Sequence, residues 1–294
     1  MRNPVLFTGA GVALVTPMDS NGRVNYEKYR ELVDFQIENG TDAIIAVGTT
    51  GEAPTLEDDE HLHAFEVAIE QTAHRVPMIA GTGSNNTDHC IYMSREAKAM
   101  GADGLLLVTP YYNKTSQRGL IEHYTKIASS VDLPIILYNV PSRTGVNLQP
   151  KTVAELAKIP NIVGLKQANG NMSETAEIAA MCDIAIYSGN DDQIVPILSL
   201  GGKGVISVLS NVIPRETHDI CKAWFDGDAQ RALELQLQYL ELANALFMDV
   251  NPIPVKEAMN QMGMNVGDCR LPLYQMTNEM KARMADVLTR YQLI

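Results

Sequence analysis

Cysteine is scarce and scattered in this chain. Cys90, Cys182, Cys221 and Cys269 are its only cysteines in 294 residues, and none forms a Cys-x-x-Cys pair. That spacing argues against a zinc ribbon or a redox dithiol and leaves four reduced, packed thiols, as expected of a cytoplasmic protein. Basic runs are missing too. With a formal net charge of −12, the surface offers no attraction to nucleic acid or to an anionic membrane, although a local basic pocket for a small acid remains open. No apolar run approaches bilayer length, so no membrane partner is expected. No Gly-x-Gly-x-x-Gly follows the first apolar run, which weakens any dinucleotide-binding reading.

What the chain does contain is alternation. Short apolar runs occur at Gly11–Val15, Ala43–Val47, Pro77–Ala80, Gly104–Val108, Pro134–Tyr138, Ile162–Lys166, Ile184–Ser188 and Gly204–Val208. Between them lie stretches with apolar residues three and four apart, such as Tyr29, Leu32, Val33 and Ile37. Strands alternating with helices indicate βαβ units and a parallel sheet. Two junctions repeat one device: Gly40 and Gly101 each stand where a helix must stop before an apolar strand begins. Asn25 and Thr55 mark helix starts, the second followed by acidic residues suited to a helix N-terminus.

Eight strands favour a closed (β/α)8 TIM barrel over an open doubly wound sheet. From Pro214 onward only helical patterning remains, with Ala229–Phe247 as a long example. The expected architecture is α/β: a catalytic barrel over residues 1–225 and a C-terminal helical region over residues 226–294.

A barrel of this kind carries its site where strands end and the following loops begin. Those ends are rich in hydroxyls: Gly48-Thr49-Thr50-Gly51-Glu52, Gly81-Thr82-Gly83, Thr109-Pro110-Tyr111-Tyr112, Tyr138-Asn139-Val140-Pro141-Ser142-Arg143, Lys166, and Ser188-Gly189-Asn190-Asp191. Lys166 is the most informative of them. Strand alternation puts it on one face with Ile162 and Gly164; an interior lysine would be desolvated, lose pKa and become nucleophilic. The bland alternative is a lysine snorkelling to the rim or paired with a carboxylate. Tyr138 ends the neighbouring strand and suits proton transfer, or merely an aromatic belt at the mouth. Thr49 and Thr50, flanked by glycines, suit a carboxylate ligand or a plain turn.

Other features read as bland. His61-x-His63 resembles a metal pair, but residues two apart on a helix do not share a face, so no metal is expected. Gly201-Gly202-Lys203-Gly204 fits a phosphate loop or a helix stop equally well, and Asp191 with Asp192 suits the start of the next helix. The fourth strand ends without a carboxylate, which argues against a paired-acid glycosidase.

Taken together, the blocks Gly48–Glu52, Tyr138–Gly145 and Gly164–Lys166 resemble the dihydrodipicolinate synthase (4-hydroxy-tetrahydrodipicolinate synthase) family, within the pyruvate-dependent class I aldolases. The similarity extends to Thr109–Asn113, Gly204–Ser207 and Asn251–Lys256, so it spans nearly the whole chain. The resemblance implies a lyase that joins pyruvate to L-aspartate 4-semialdehyde through an imine on Lys166, in the diaminopimelate route to lysine. It implies Tyr138, Thr49 and Tyr112 as a proton relay, with Tyr112 entering the site of a neighbouring subunit. Thr50 and Ile206 would meet pyruvate, Arg143 the carboxylate of the semialdehyde, and Gly189 would be a further substrate-binding residue. It also implies a cytoplasmic homotetramer built as a dimer of dimers, with no metal or organic cofactor.

The related aldolases for sialic acid and 2-keto-3-deoxy sugar acids share the lysine and tyrosine. Arg143 argues against them, because a polyhydroxy substrate would want neutral polar groups there. A non-catalytic keto-acid sensor is a third reading, disfavoured by the intact lysine, tyrosines and threonines. Gln167 departs from the family's usual Glu. In lysine-sensitive relatives a cleft binds L-lysine; the matching positions here are Ala53, Asp58, His61, Asn85, His89 and Tyr111. His89 stands where the sensitive pattern has Glu, and Asp58 where it has His, which implies weak or absent inhibition.

Overall fold

A computed structural model describes residues 5–294. Eight parallel strands close into a barrel in sequence order: β1 (Gly9–Ala13), β2 (Ala43–Ala46), β3 (Met78–Gly81), β4 (Gly104–Val108), β5 (Ile135–Asn139), β6 (Ile162–Gln167), β7 (Ala185–Ser188) and β8 (Gly204–Ser207), with β1 pairing β8. Nearly every strand residue is buried because helices cover the outer face and side chains fill the lumen. Ala43, Ile45, Ile79, Leu106, Ile136, Tyr138, Ala185, Tyr187 and Ile206 form the interior cluster. Their strand neighbours Ile44, Ala46, Met78, Ala80, Leu105, Leu107, Ile135, Leu137 and Leu165 pack with the helices.

The alternation of β6 differs from expectation. A register irregularity against β5 pairs Ile135 with Ile162 but Ile136 with Gly164, so Val163 is an extra residue. Ile162 therefore packs in the outer cluster, while Gly164 faces Ile136 and Tyr187. The first strand also begins earlier than Gly11 and stops at Ala13. Gly9 pairs Gly204 at one end, and at the other the Val15 amide turns to the Asn211 side chain.

Helix boundaries follow local chemistry. Asn25 caps the helix Tyr26–Glu38 by accepting from the Lys28 amide at 3.0 Å. Gly40 (φ +84°) and Gly101 (φ +102°) adopt the left-handed conformation that ends their helices. Thr55 caps nothing: it lies in the short 3-10 turn Ala53–Thr55, and the helix starts at Asp58, three acidic residues filling its first turn. Gly201 (φ +88°) follows the helix Ile194–Ser199 and leads into β8, at the barrel end away from the strand C-termini, so this glycine run is a helix stop.

After the last barrel helix, Pro214–Phe225, the C-terminal region is helical: Ala229–Gln238, Leu240–Ala245, Ile253–Gln261 and Asn278–Arg290. The expected long helix breaks at Tyr239, whose ring stands 5.9 Å from that of Tyr291. Among the described residues, no helix is long and apolar enough to cross a membrane.

Candidate active site

Lys166 and Tyr138 are direct partners in the β5–β6 register, and Lys166 Nζ lies 4.3 Å from the centre of the Tyr138 ring. Lys166 is 5 % exposed, so it does not snorkel to the rim, and among the described residues it makes no ion pair at bonding distance. Burial pulls its pKa down to about 8; Asp191 works against that fall and Arg143 adds to it. Burial raises the Tyr138 phenol, while Arg143 and a hydrogen bond with the Thr49 side chain favour its ionised form. Lysine, tyrosine and threonine thus form one connected set in a largely desolvated place.

Beside Tyr138 and Thr49 opens a cavity of about 250 Å³, lined by these two and Arg143 together with Gly48, Gly81 and Leu106; Lys166 stands behind the Tyr138 ring and does not itself line it. Backbones close in around its floor: a Cβ on Gly81 would come within 2.4 Å of the Val47 carbonyl oxygen. Val47 itself takes φ +50°, a costly conformation for a β-branched residue, and Glu52 takes φ +59°. The segment carrying Thr49 and Thr50 is therefore bracketed by two left-handed residues. Its outer side is fixed by Thr16, whose hydroxyl donates to the Gly51 carbonyl at 2.7 Å.

Thr50 is buried, and its hydroxyl oxygen accepts from Asn251 Nδ2 at 3.0 Å. The Asn251 carbonyl in turn accepts from Arg143 Nη2 at 3.1 Å. Ile206 lies in the barrel interior, and Gly189 follows β7 with its amide donating to the Gln167 carbonyl at 2.8 Å. Tyr112 is not brought together with this set: it is 90 % exposed, at φ +70°.

The positions of the matched lysine cleft divide. Ala53 and Tyr111 line the same cavity as Tyr138. Asn85 donates to the Tyr111 carbonyl at 3.1 Å. His61 is buried and donates through Nε2 to the Gly81 carbonyl at 3.1 Å; burial depresses its pKa to about 4, so it is neutral near pH 7. His63 is exposed beside Glu66, so the two histidines occupy different environments. His89 Nε2 meets Asp58 Oδ1 at 2.9 Å.

Two supports are not evident from the strand ends alone. Asp191 does not serve as a plain helix opener: its buried Oδ2 accepts from the Val208 and Leu209 amides, each at 3.0 Å, and so ties the end of β7 to the end of β8. Burial raises its pKa, against the Ser207 hydroxyl, those amides and Lys166. The second is the Asn251–Lys256 block, whose sequence is distinctive but whose contacts with the Thr50 segment only the tertiary fold creates. Beneath Lys166, Gln167 accepts from Asn139 Nδ2 at 2.8 Å, which an ionised Glu would do equally well.

Comparison with known proteins agrees with this geometry. The chain is 56% identical over 287 residues to the 4-hydroxy-tetrahydrodipicolinate synthase of Caldicellulosiruptor bescii, covering 97% of each chain. It is 56% identical over 292 residues to the synthase of the same name from Lachnoclostridium phytofermentans, covering 98% of this chain and 99% of the relative. The crystal structure of dihydrodipicolinate synthase from Aquifex aeolicus superposes with a TM-score of 0.96 at 44% identity, covering 98% of this chain and 99% of that one. The profile of the dihydrodipicolinate synthetase family matches residues 6–291, and the chain belongs to that family.

Proposed function

We infer that this chain is a lyase catalysing the 4-hydroxy-tetrahydrodipicolinate synthase reaction, the condensation of pyruvate with L-aspartate 4-semialdehyde that commits carbon to diaminopimelate and lysine. The observation that carries the reading is Lys166: a buried amine with a pKa near 8, held against the Tyr138 ring. The shared name of the close relatives supports it.

In the reaction the neutral Lys166 amine adds to the keto carbon of pyruvate, and loss of water leaves an imine. The imine nitrogen draws electrons from the adjacent methyl group, which releases a proton and becomes the enamine carbon. That carbon attacks the aldehyde. The amino group of the semialdehyde then adds to the imine carbon and expels Lys166, closing the ring. Because the protonated imine is itself the electron sink, no step calls for a metal or an organic cofactor.

Tyr138 and Thr49, already hydrogen bonded, carry protons to and from the carbinolamine, with Tyr112 as the third member of the relay. Thr50, Gly189 and Ile206 hold pyruvate. Arg143, on the cavity wall, takes the semialdehyde carboxylate, a preference that separates this enzyme from aldolases for sialic acid or 2-keto-3-deoxy sugar acids. The exposure of Tyr112 supports a homotetramer, a dimer of dimers in which that side chain completes a neighbour's site. The four free thiols support the cytoplasm as its setting. The catalytic barrel is assigned to residues 1–225, of which 5–225 are described, and a helical region that buttresses it to 226–294, a division supported by the helix end at Phe225.

The test is direct. Incubation with pyruvate and borohydride should add one reduced pyruvyl group per chain, seen by mass spectrometry on the Lys166 peptide. Lys166→Ala should abolish the adduct and keep the fold; an adduct on another lysine would overturn the assignment. A coupled assay with the semialdehyde then checks the second substrate.

A further inference from the structure

Asn251 stands outside the barrel strands, at the entry to the helix Ile253–Gln261, yet it touches both anion-binding side chains of the proposed site. It is 5 % exposed. Its side-chain Nδ2 donates to Thr50 Oγ1 at 3.0 Å, and its main-chain carbonyl accepts from Arg143 Nη2 at 3.1 Å. Its own amide oxygen is buried and has no hydrogen-bond partner, an arrangement that calls for an account.

The account lies in the hydroxyl it faces. A threonine hydroxyl has one proton to give and lone pairs to receive. If the amide oxygen faced Thr50, the hydroxyl proton would be drawn to it and the oxygen lone pairs would face the substrate, repelling a carboxylate. With the NH2 group facing Thr50 instead, a lone pair is occupied and the proton is free to point elsewhere. The unsatisfied amide oxygen is the cost of that orientation.

We propose that Asn251 is a positioning residue that sets the polarity of the Thr50 hydroxyl, making it a donor to the pyruvate carboxylate, while its main chain steadies the guanidinium that receives the second carboxylate. This rests on the proposed function for the identity of the two acids. The two arms are separable, because side-chain substitutions alter the first and leave the carbonyl of the second in place.

The experiment is steady-state kinetics and borohydride trapping on the full-length protein with Asn251→Asp, Asn251→Ala and Thr50→Ala, singly and combined. Asn251→Asp keeps the shape but presents an acceptor to Thr50. The expected result is a rise in the KM for pyruvate of roughly 10- to 100-fold, the scale of a lost hydrogen bond to a charged group. The KM for the semialdehyde should move less than about threefold, since Arg143 keeps its carbonyl partner.

Asn251→Ala, which adds no charge, should raise the pyruvate KM in the wild-type background but by less than about twofold when Thr50 is already Ala. Two results would overturn the proposal: Asn251→Asp binding pyruvate as the wild type does, or Asn251→Ala costing as much without the Thr50 hydroxyl as with it. If Asn251→Asp does not fold, as judged by thermal melting, the alanine cycle alone decides. Failure of wild-type protein to form any pyruvate adduct would instead reject the reaction itself.

Discussion

Lys256 Nζ lies 2.8 Å from Glu52 Oε1, and neither side chain meets solvent. The same ammonium donates to the carbonyls of Thr16 at 3.1 Å and Asp268 at 2.7 Å, while the other Glu52 oxygen accepts from the Arg270 amide at 2.8 Å. Every charge in the pair is thus hydrogen bonded, the condition under which a buried ion pair can be tolerated. Because Glu52 lies just beyond Thr49 and Thr50, the pair anchors the C-terminal region to the segment that carries these two threonines. Lys256→Met should destabilise the protein by about 3–5 kcal/mol by stranding the carboxylate. Lys256→Met with Glu52→Gln should recover part of that loss. Thermal and urea melting of both variants measure it; equal losses would mean that charge stranding is not the cause.

The lowered pKa of Lys166 predicts a pH profile. Below about 8 the amine is mainly protonated and cannot attack; above it, the neutral form dominates. At pH 7 roughly a tenth of the lysines are neutral, against about 3 in 10,000 for a lysine of ordinary pKa. The initial rate of imine trapping, at saturating pyruvate, should therefore climb between pH 6 and 8 and flatten beyond. A rate that keeps rising to pH 10 would show that burial does not tune this amine.

Arg143→Ala should act on the second substrate. Loss of a charge-assisted contact to a carboxylate should cost about 1.5–3 kcal/mol in kcat/KM for the semialdehyde. Pyruvate trapping should persist at close to the wild-type extent. Equal damage to both would assign Arg143 a role in imine formation.

Tyr112 is expected to work in trans. Lys166→Ala and Tyr112→Phe chains, each inactive or nearly so alone, should regain some activity after subunit exchange, because a hybrid dimer retains one site with both residues. No recovery in hybrids verified by native mass spectrometry would return Tyr112 to a surface role.

L-Lysine should inhibit weakly or not at all. The Asp58 carboxylate, one anion at the matched cleft able to receive an ammonium group, is already engaged by His89 at 2.9 Å. His61 is neutral, and a protonated His89 would repel the ligand. A lysine titration of the purified enzyme checks this; full inhibition at submillimolar lysine would contradict it.

The pairing of Lys166 with Tyr138 is legible in the sequence because parallel strands in consecutive order put their ends side by side. That Gly164 and Lys166 share a face is legible from strand alternation, but nothing in the strand itself says which face points inward, and the extra residue at Val163 moves Ile162 to the other face. Asp191 is obscure because an Asp-Asp pair before a helix has a sufficient local explanation, and nothing local announces the Val208 and Leu209 amides. Asn251 is obscure in a different way. Its block is conspicuous, but a helical appendage has no periodicity that points to a distant loop, so its contacts with Thr50 and Arg143 arise only when the chain is packed.

The seam between β1 and β8 has a consequence for how the molecule is made. Gly9 pairs Gly204, and the Val15 amide reaches Asn211, 196 positions along the chain. During synthesis the first strand therefore emerges long before its second neighbour exists, with one edge of backbone donors and acceptors unpaired. Contacts of such separation form late and slowly, because loop closure must precede them. A nascent chain of this protein is in effect an open sheet until the eighth strand arrives. The interval before closure is when that unpaired edge is most open to edge-to-edge association.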